Sequence, residues 1–191
     1  MALSKAGLVD VIAITGETAL AETPADTDEL LINDGGTIKR IDFSHIKSSN
    51  APSFSVHASN TNISDASETT IVFDTEIFDS DSAFASNTFT VPSGAGGKYL
   101  LSANCQVAGG ATDAVRDAIL RIKNGSTTIA QSTLGFQSNR QETLTLNFTG
   151  IFDLSASDAL TCTITIDNVG GTSNYIGGSD RDTSFHGFKL A

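Results

Sequence analysis

The sequence predicts an all-β protein, and three observations support this fold class. The chain of 191 residues is rich in Ser, Thr, Asn, Asp and Gly, poor in Lys and Arg, and free of Trp. This composition favours short strands joined by polar turns over long helices. Beyond about residue 52, short runs of alternating apolar and polar residues are separated by turn residues, of which Asn124-Gly125 is the clearest pair. Strands spaced in this way indicate a sandwich or a barrel.

Residues 1–51 are expected to form a small extended arm that contains one β-hairpin. Within residues 29–43, ELLINDGGTIKRIDF, the sequence Asp34-Gly35-Gly36 predicts the turn, because glycine adopts positive φ without strain. The arm has too few apolar residues to bury a core of its own. We therefore expect it to become ordered against a sister subunit or a larger assembly.

The linker-like sequence SSNAPS, residues 48–53, separates this arm from a head domain at residues 52–191. In the head domain we expect ten antiparallel strands. They are Phe54–Ala58, Thr69–Phe78, Thr88–Val91, Lys98–Ala108, Ala114–Lys123, Thr127–Gln131, Glu142–Leu154, Ala159–Asp167, Asn174–Gly177 and Thr183–Leu190.

One of these strands has an alternative interpretation. In DAVRDAILRIKNG, residues 113–125, the apolar positions also fit a short amphipathic helix. We favour a strand, because the alternation from Ile119 to Lys123 continues into the Asn-Gly turn. Cys105 and Cys162 lie in other alternating runs, and two cysteines in such settings predict buried free thiols rather than a disulfide framework.

The charge of the chain argues against one class of partner. Its formal net charge is −11, and sequence-independent binding of nucleic acid requires cations that neutralise phosphates. The N-terminal run GLVDVIAITG is interrupted by Asp10 and no small-residue cleavage site follows it. We therefore expect no nucleic-acid partner, no signal peptide and no membrane insertion.

Catalysis is not expected either. The three histidines, His45, His57 and His186, are scattered, and no Gly-x-Ser-x-Gly nucleophile elbow is present. Cysteine and histidine are too few and too dispersed for a structural zinc site. The sequence therefore predicts a protein that is not an enzyme and has no catalytic or cofactor-binding residues.

Calcium is the one cofactor that the acidic residues suggest. Asp74, Asp79 and Asp81 could be gathered around Ca²⁺ by one loop, and Asp180 with Asp182 forms a second candidate pair. A solvated acidic loop explains the same pattern. We expect the solvated loop and no bound metal.

The head domain resembles the complement component-one q globular head and tumour-necrosis-factor-like superfamily. The resemblance begins with two aromatic residues that flank an acidic one, continues through a Phe, a Pro and a Gly-x-Tyr, and ends in Phe-x-Gly-Phe. The matching residues are Phe73, Asp79, Phe84, Phe89, Pro92, Gly97, Tyr99, Phe185, Gly187 and Phe188. The spacing from Phe84 to Phe89 is two residues shorter than the usual pattern, and the turn from Pro92 to Gly97 is two residues longer than usual.

This resemblance implies a ten-strand antiparallel jelly roll and a homotrimer. It also implies that aromatic residues fill the space between the two sheets and that the last strand is buried. On this basis we expect Tyr99, Phe148, Phe185 and Phe188 to form the core and trimer contacts. The collagen stalk of vertebrate members is not implied, because the chain has no Gly-X-Y repeat.

The N-terminal arm instead resembles segments of bacteriophage tail-fibre and virion structural proteins, through the phrase DELLINDGGTIKRIDFS. This resemblance implies a virion protein, assembled in the cytoplasm of a host bacterium, that binds other virion proteins through residues 1–51. The expected attachment residues are Asp34, Gly35, Gly36 and Arg40. The position on the particle stays open among capsid decoration, head fibre and short tail fibre.

A receptor-binding role is the alternative. The outer loops of a trimer would then contact a glycan or protein on the host surface. The candidate loops are Gly109–Asp113, Phe136–Gln141 and Gly170–Arg181. Only Phe136 and Tyr175 offer aromatic surface of the kind that sugars stack on, which favours the structural role.

Overall fold

The structure is a computed structural model, and it describes residues 24–25, 27–46, 51–109, 115–138, 140–169, 174–177 and 182–190. The chain divides into two compact units, Met1–Ser48 and Ser49–Ala191. Strands dominate both units in the described ranges. Among these residues no helix is long and apolar enough to cross a membrane.

The first unit contains the predicted β-hairpin. Strand β1 spans Glu29–Asp34 and pairs antiparallel with β2, Thr37–Asp42. Gly35 and Gly36 connect them with φ values of 57° and 84°. Positive φ at both central residues is the geometry of the two-residue turn that matches the twist of paired strands. A 3-10 helix, Phe43–His45, follows β2.

The second unit is a sandwich of two antiparallel sheets, so the all-β jelly roll is confirmed. The described residues form thirteen strands where ten were expected, because the predicted strand Thr69–Phe78 is broken in two and the short strands at Thr61–Ile63 and Phe84–Ala85 were not predicted. They are β3 Ser53–His57, β4 Thr61–Ile63, β5 Thr69–Thr70, β6 Thr75–Asp79, β7 Phe84–Ala85, β8 Thr88–Thr90, β9 Gly97–Gly109, β10 Val115–Asn124, β11 Thr127–Gly135, β12 Thr143–Leu154, β13 Ala159–Asn168, β14 Asn174–Ile176 and β15 Ser184–Lys189.

The six-stranded sheet has the order β11-β10-β13-β8-β7, and β5 also pairs with β13. In the seven-stranded sheet β9 lies between β12 on one side and β14 with β15 on the other. From β15 this sheet continues to β3 and β6, and from β14 it continues to β4. Long strands from distant parts of the chain therefore lie side by side.

The predicted strand Thr69–Phe78 is broken because the chain changes sheets within it. Its first part, β5, pairs with β13 in the six-stranded sheet, and its last part, β6, pairs with β3 in the seven-stranded sheet. Between them Ile71 and Phe73 are buried. The alternation of buried and exposed residues thus continues across the break, and the buried side chains pack at the edge of the core between the two sheets.

An aromatic cluster around Phe54 fills the core. Phe54 stacks on Phe89 with ring centroids 4.4 Å apart and on Phe84 at 5.4 Å, and it meets Phe185 edge to face at 4.9 Å. Tyr99 packs against Phe89 at 5.8 Å. Aromatic residues from both ends of the head domain therefore converge on one side chain.

Both cysteines are buried and free, as predicted. The Cys105 thiol has its pKa raised to about 12 by burial, and burial also raises the pKa of the Cys162 thiol. Residues Val115–Asn124 form a strand, so the helical alternative is wrong. The strand pairs with β11 on one side and β13 on the other. Its backbone N–H and C=O groups are therefore hydrogen-bonded to neighbouring strands, whereas in a helix they would bond to one another.

Candidate functional site

The outer face of the seven-stranded sheet carries an array of uncharged side chains. Side chains alternate between the two faces of a strand, so the residues on either side of a buried residue point away from the core. We call the uncharged outward residues of the four adjacent strands β3, β15, β9 and β12 the neutral face, which the outward pair Lys98 and Asp153 borders. They are Ser53, Ser55 and His57 of β3, Leu100, Ser102, Asn104 and Gln106 of β9, Thr145, Asn147, Thr149 and Ile151 of β12, and Ser184, His186 and Phe188 of β15.

These residues form rows that cross the strands. One row is apolar at its centre and runs Ser53, Phe188, Leu100, Ile151. The next runs Ser55, His186, Ser102, Thr149 and is extended by Phe78 of β6, which pairs with Ser55. Phe78 is 50% exposed and Ile151 is 62% exposed. The neutral face therefore presents large apolar side chains to solvent within one described unit.

Four polar side chains of the neutral face are hydrogen-bonded to one another in two pairs. The Ser102 and Thr149 hydroxyls are hydrogen-bonded at 2.8 Å. Ser184 donates to Asn104 Oδ1 at 2.7 Å, and Asn104 Nδ2 donates to the carbonyl of Asp182 at 2.8 Å. Groups that already have partners lose less when water is removed. These four side chains would therefore keep hydrogen-bond partners if this part of the face were covered.

A shallow hollow of about 280 Å³ lies at one side of the neutral face. It is lined by Phe78, His186 and Phe188 together with the neighbouring residues of β3. Burial lowers the pKa of the half-buried His186. The imidazole is therefore neutral at pH 7, and the hollow carries no charge there.

Gly187 explains how His186 and Phe188 come to face outward. A Cβ at Gly187 would lie 2.7 Å from Leu101 Cδ2 and 2.9 Å from the Leu100 carbonyl oxygen. The core side of β15 therefore has room only for glycine at this position. The residues on either side of Gly187 consequently point away from the core.

The outer face of the six-stranded sheet differs in charge. Glu68 accepts hydrogen bonds from Thr163 at 2.7 Å and from Lys123 at 3.0 Å. Arg121 donates to Thr165 at 3.0 Å and to Gln131 at 3.2 Å. We call this the charged face. The Thr163 hydroxyl, with Lys123, holds the pKa of the Glu68 carboxyl below its usual range, so this face is ionised at neutral pH.

Two of the predicted metal candidates, Asp74 just before β6 and Asp79 at its end, accept hydrogen bonds from backbone N–H groups. Asp79 accepts from the backbone N–H of Phe84 at 2.7 Å, and Asp74 accepts from that of Ser59 at 3.2 Å. Asp180 lies outside the described residues, and of Asp182 the backbone carbonyl is the group that accepts hydrogen bonds. Within the described part of the chain, no three His, Cys, Asp or Glu residues cluster as metal ligands would.

The predicted attachment residues lie together on the hairpin. Asp34, Gly35 and Gly36 form its turn, and Arg40 on β2 pairs with Glu29 at 2.9 Å. Of the predicted receptor loops, residues 110–113, 139, 170–173 and 178–181 lie outside the described residues, as does the side chain of Tyr175.

The four residues predicted to form the core and trimer contacts are found in different places. Tyr99 and Phe185 are fully buried inside the sandwich, and Phe148 is half-buried on the core face of the edge strand β12. Phe188 was expected in the core and lies on the neutral face instead. The reason is alternation, since Phe188 lies three positions after Phe185 and an odd offset along a strand places two side chains on opposite faces.

The sequence prediction missed Phe78, Leu100 and Ile151. Each occupies the polar phase of an alternating strand, so it reads locally as an isolated exposed hydrophobic residue. The signal that could have found them is repetition: several strands of the same sheet carry such a residue. Recognising it requires the strand order, which places Leu100 beside Ile151.

Comparison with known proteins shows the fold. The chain is similar to the globular domain of the zebrafish complement 1qA protein, with 17% identity and a TM-score of 0.52 over 73% of this chain and 98% of that one. It is also similar to murine APRIL in a structure at pH 5.0, with 15% identity and a TM-score of 0.50 over 72% and 98% of the two chains. The described head thus has the jelly-roll fold of the complement q and tumour-necrosis-factor-like proteins.

No family model matches the sequence. A search of curated proteins likewise finds no match.

Proposed function

We propose that the chain is a non-enzymatic structural protein of a bacteriophage particle, in which a trimeric jelly-roll head is held on the virion by residues 1–51. The observation that carries the trimer is the neutral face. It joins exposed apolar side chains to a polar surface without Asp, Glu, Lys or Arg in the rows from Leu100–Ile151 to Gln106–Thr145, and the pair Lys98 and Asp153 lies in the next row. Interface cores are depleted in charged residues and enriched in aromatic ones in the same way.

Charge explains why association through this face is favourable. Each copy carries a formal net charge of −11, so a contact surface without carboxylates avoids placing like charges directly against one another. The neutral face is the contact surface that meets this condition, and the charged face of the same sandwich does not. Threefold closure would bury the row of Phe188, Leu100 and Ile151 of each copy against its neighbours.

Anchoring through the arm is supported by the exposed aliphatic side chains of the hairpin. Leu31 is 60% exposed and Ile38 is 43% exposed, on a unit of only two described strands. A two-stranded hairpin is at best marginally stable in water by itself. Burial of these exposed side chains against other virion proteins would stabilise the hairpin, as expected for an attachment arm.

The resemblance of DELLINDGGTIKRIDFS to tail-fibre and virion structural proteins supports placing the chain on a virion. Assembly in the bacterial cytoplasm would follow. The head would then be the part displayed on the particle, with host-surface contact through its outer loops as the alternative role.

Two glycines provide a matched test of the anchor. Gly35 in the hairpin and Gly125 in the β10–β11 turn have φ values of 57° and 56°, and a Cβ at either would touch nothing within 4 Å. Valine is strained at both positions by backbone conformation alone. We expect Gly35→Val to reduce incorporation into particles assembled in the host bacterium, and Gly125→Val to leave incorporation unchanged.

Equal incorporation of the two variants would contradict the anchoring role. So would full incorporation of a truncated chain that begins at Pro52. Binding of the purified, particle-free trimer to host cells would favour the receptor-binding role over the structural one.

A further inference from the structure

Two of the three histidines in the sequence lie on the neutral face. His186 of β15 pairs in register with Ser55 of β3 and with Ser102 of β9. His57 of β3 pairs with Ser184 of β15, in the next row. Imidazole is the side chain whose charge ordinarily changes between about pH 5 and pH 8. The neutral face can therefore become positively charged in mild acid.

The side chains beside His186 offer its imidazole no carboxylate. Those within one row on the same face of the described sheet are Ser53, Ser55 and His57 of β3, Leu100, Ser102 and Asn104 of β9, Ser184 and Phe188 of β15, and Phe78 of β6. His186 lines a hollow with Phe78 and Phe188, and burial lowers the pKa of His186. An imidazolium at this position would have no opposite charge beside it.

Along the outward phase of these strands, the nearest charged groups lie two rows away from His186. Lys98 of β9 is four residues from Ser102, and Asp153 of β12 pairs with Lys98. Asp182 precedes His186 by four residues. Four residues of strand span about 13 Å, which exceeds the screening length of about 8 Å at physiological salt.

The remaining charged groups of β6 and β15 lie in the core phase of their strands, because each is paired with a buried residue. These pairs are Glu76 with Val56, Asp79 with Phe54 and Lys189 with Tyr99. They start on the opposite side of the sheet from His186. No charged side chain of the neighbouring described strands is therefore placed to neutralise an imidazolium there.

We propose that the trimer dissociates in mild acid, because protonation of His186 places an unpaired positive charge in the interface. The inference rests on the proposed trimer, since association through the neutral face is what would cover His186. An ion loses its hydration when it is covered, and without a partner it recovers none of that loss. The interface would thus hold at neutral pH and open as the pH falls.

The direction of the pH dependence follows from proton linkage. Association should lower the pKa of His186 further, because a second copy removes water from the imidazole. The separated copies then bind more protons than the trimer. Association is therefore at full strength above the pKa of His186 in the separated copies, and it weakens as the pH falls through that value.

Protonation also reduces the repulsion between copies, each of which has a formal net charge of −11. This opposing effect acts over long distances and is screened by salt, whereas the loss of hydration of a covered ion is not. Carboxylates ordinarily gain protons near about pH 4, so the acidic surface stays ionised in mild acid. The local effect at His186 should therefore dominate.

Sedimentation equilibrium of the full-length chain at about pH 8 and about pH 5.5 tests the proposal. The association constant of the trimer should fall by roughly tenfold or more, because three imidazoles gain protons for each trimer that separates. His186→Gln keeps an uncharged polar side chain and should remove most of this fall. A fall of unchanged size in His186→Gln would overturn the proposal.

The other two histidines provide matched controls. His45→Gln changes an exposed residue of the 3-10 helix in the first unit. His57→Gln changes a residue of the neutral face whose partner Ser184 lies two residues from Asp182, one row nearer to a carboxylate than His186. Both variants should retain most of the acid effect. An effect that disappears in either variant would contradict the assignment to His186.

A carboxylate placed opposite His186 should reverse the pH dependence. Ser55 pairs with His186 and lines the same hollow. In Ser55→Asp an imidazolium gains a partner of opposite charge, so association should be at least as strong at about pH 5.5 as at about pH 8. This variant decides the question if His186→Gln fails to assemble. Loss of association in acid by Ser55→Asp, as in the unmodified chain, would overturn the proposal.

The unmodified chain separates this proposal from the proposed trimer. A trimer at about pH 8 that does not weaken in acid overturns the role of His186 and leaves the trimer intact. A monomer at about pH 8 contradicts both. Circular dichroism should show that the copies separated by acid keep their β-sheet spectrum. Loss of that spectrum would mean that unfolding separates them, which also overturns the proposal.

Discussion

The two outer faces of the head sandwich are built from similar antiparallel strands and differ in charge. On the charged face, Glu68, Arg121 and Lys123 form a network with threonine hydroxyls of β13. On the neutral face, the equivalent central positions hold hydroxyls, amides and one neutral imidazole, beside exposed Phe78 and Ile151. A surface meant for water tolerates ions because they stay hydrated, whereas a surface meant to be covered must avoid the cost of removing that water.

Placing a charge on each face gives the largest expected contrast. Ser102 lies at the centre of the neutral face, and Thr161 lies beside Lys123 on the charged face. Ser102→Asp should dissociate the trimer, because an unpaired carboxylate buried in an interface costs about 3 kcal/mol or more. Thr161→Asp should leave the trimer intact. Sedimentation equilibrium of both variants at neutral pH measures the difference.

If both variants remain trimeric, the neutral face is not part of the interface. Loss of the trimer in both would show instead that added negative charge anywhere on the head is sufficient to separate the copies.

Substitution of two aromatic residues of β15 should affect two different properties, the stability of the fold and the association of the copies. Phe185→Ala should lower the free energy of unfolding by about 3–5 kcal/mol, because the ring is fully buried in the core. Phe188→Ala should cost much less in unfolding and should weaken the trimer by about 2 kcal/mol, as expected for an aromatic interface residue. Urea unfolding at a concentration where the chains are dissociated measures the first effect, and sedimentation measures the second.

If Phe188→Ala unfolds the dissociated head as severely as Phe185→Ala does, Phe188 belongs to the core, as its sequence motif first suggested.

The charged face should contribute a smaller, pH-dependent stabilisation. The pKa of Glu68 is lowered in the folded state by Thr163 and Lys123, so its contribution is present above its ordinary value of 4.5 and is lost as the pH falls through the folded value. The Glu68→Gln variant should therefore lose less stability than the unmodified chain between pH 7 and pH 3. Because the Glu68–Lys123 ion pair is partly exposed to solvent, the two proteins should differ in this loss of stability by no more than about 1 kcal/mol.

Urea unfolding at the two pH values measures this difference. A variant that loses as much stability on acidification as the unmodified chain would show that Glu68 is not a source of the pH dependence.

Removal of divalent metal should have the smallest effect. We expect a chelator to leave the melting temperature unchanged, because a metal stabilises the folded state only if it binds there. Asp79→Ala should still destabilise the head by about 1–3 kcal/mol, because the Phe84 N–H loses its acceptor. A chelator-induced fall that Ca²⁺ reverses, and that is missing in Asp79→Ala, would establish a calcium site.

Local pattern was sufficient to predict several features of the head. Alternation placed Tyr99, Leu101 and Cys105 on one buried side of β9, and the structure agrees. The pair Asn124-Gly125 joins β10 to β11 as expected. Each of these features depends on residues close in sequence, where backbone preference and side-chain period decide the outcome.

The candidate interface could not be found in this way. Phe188, Leu100 and Ile151 are separated in the sequence by long intervals and become neighbours only because β15, β9 and β12 lie side by side. The sheet change between β5 and β6 was hidden for the same reason, since a continuous alternating run gives no sign of which strand it will pair with.

By itself, the sequence determined the fold class, the hairpin turn at Gly35-Gly36, the buried thiols and part of the core, because alternation and turn preference act over a few residues. The tertiary structure decided which apolar residues stay outside the core and which of them meet. It placed Phe188 outward because Gly187 fills the last space against Leu101 on the inside. Pairing between distant strands is set by packing of the whole sandwich, and no local preference encodes it.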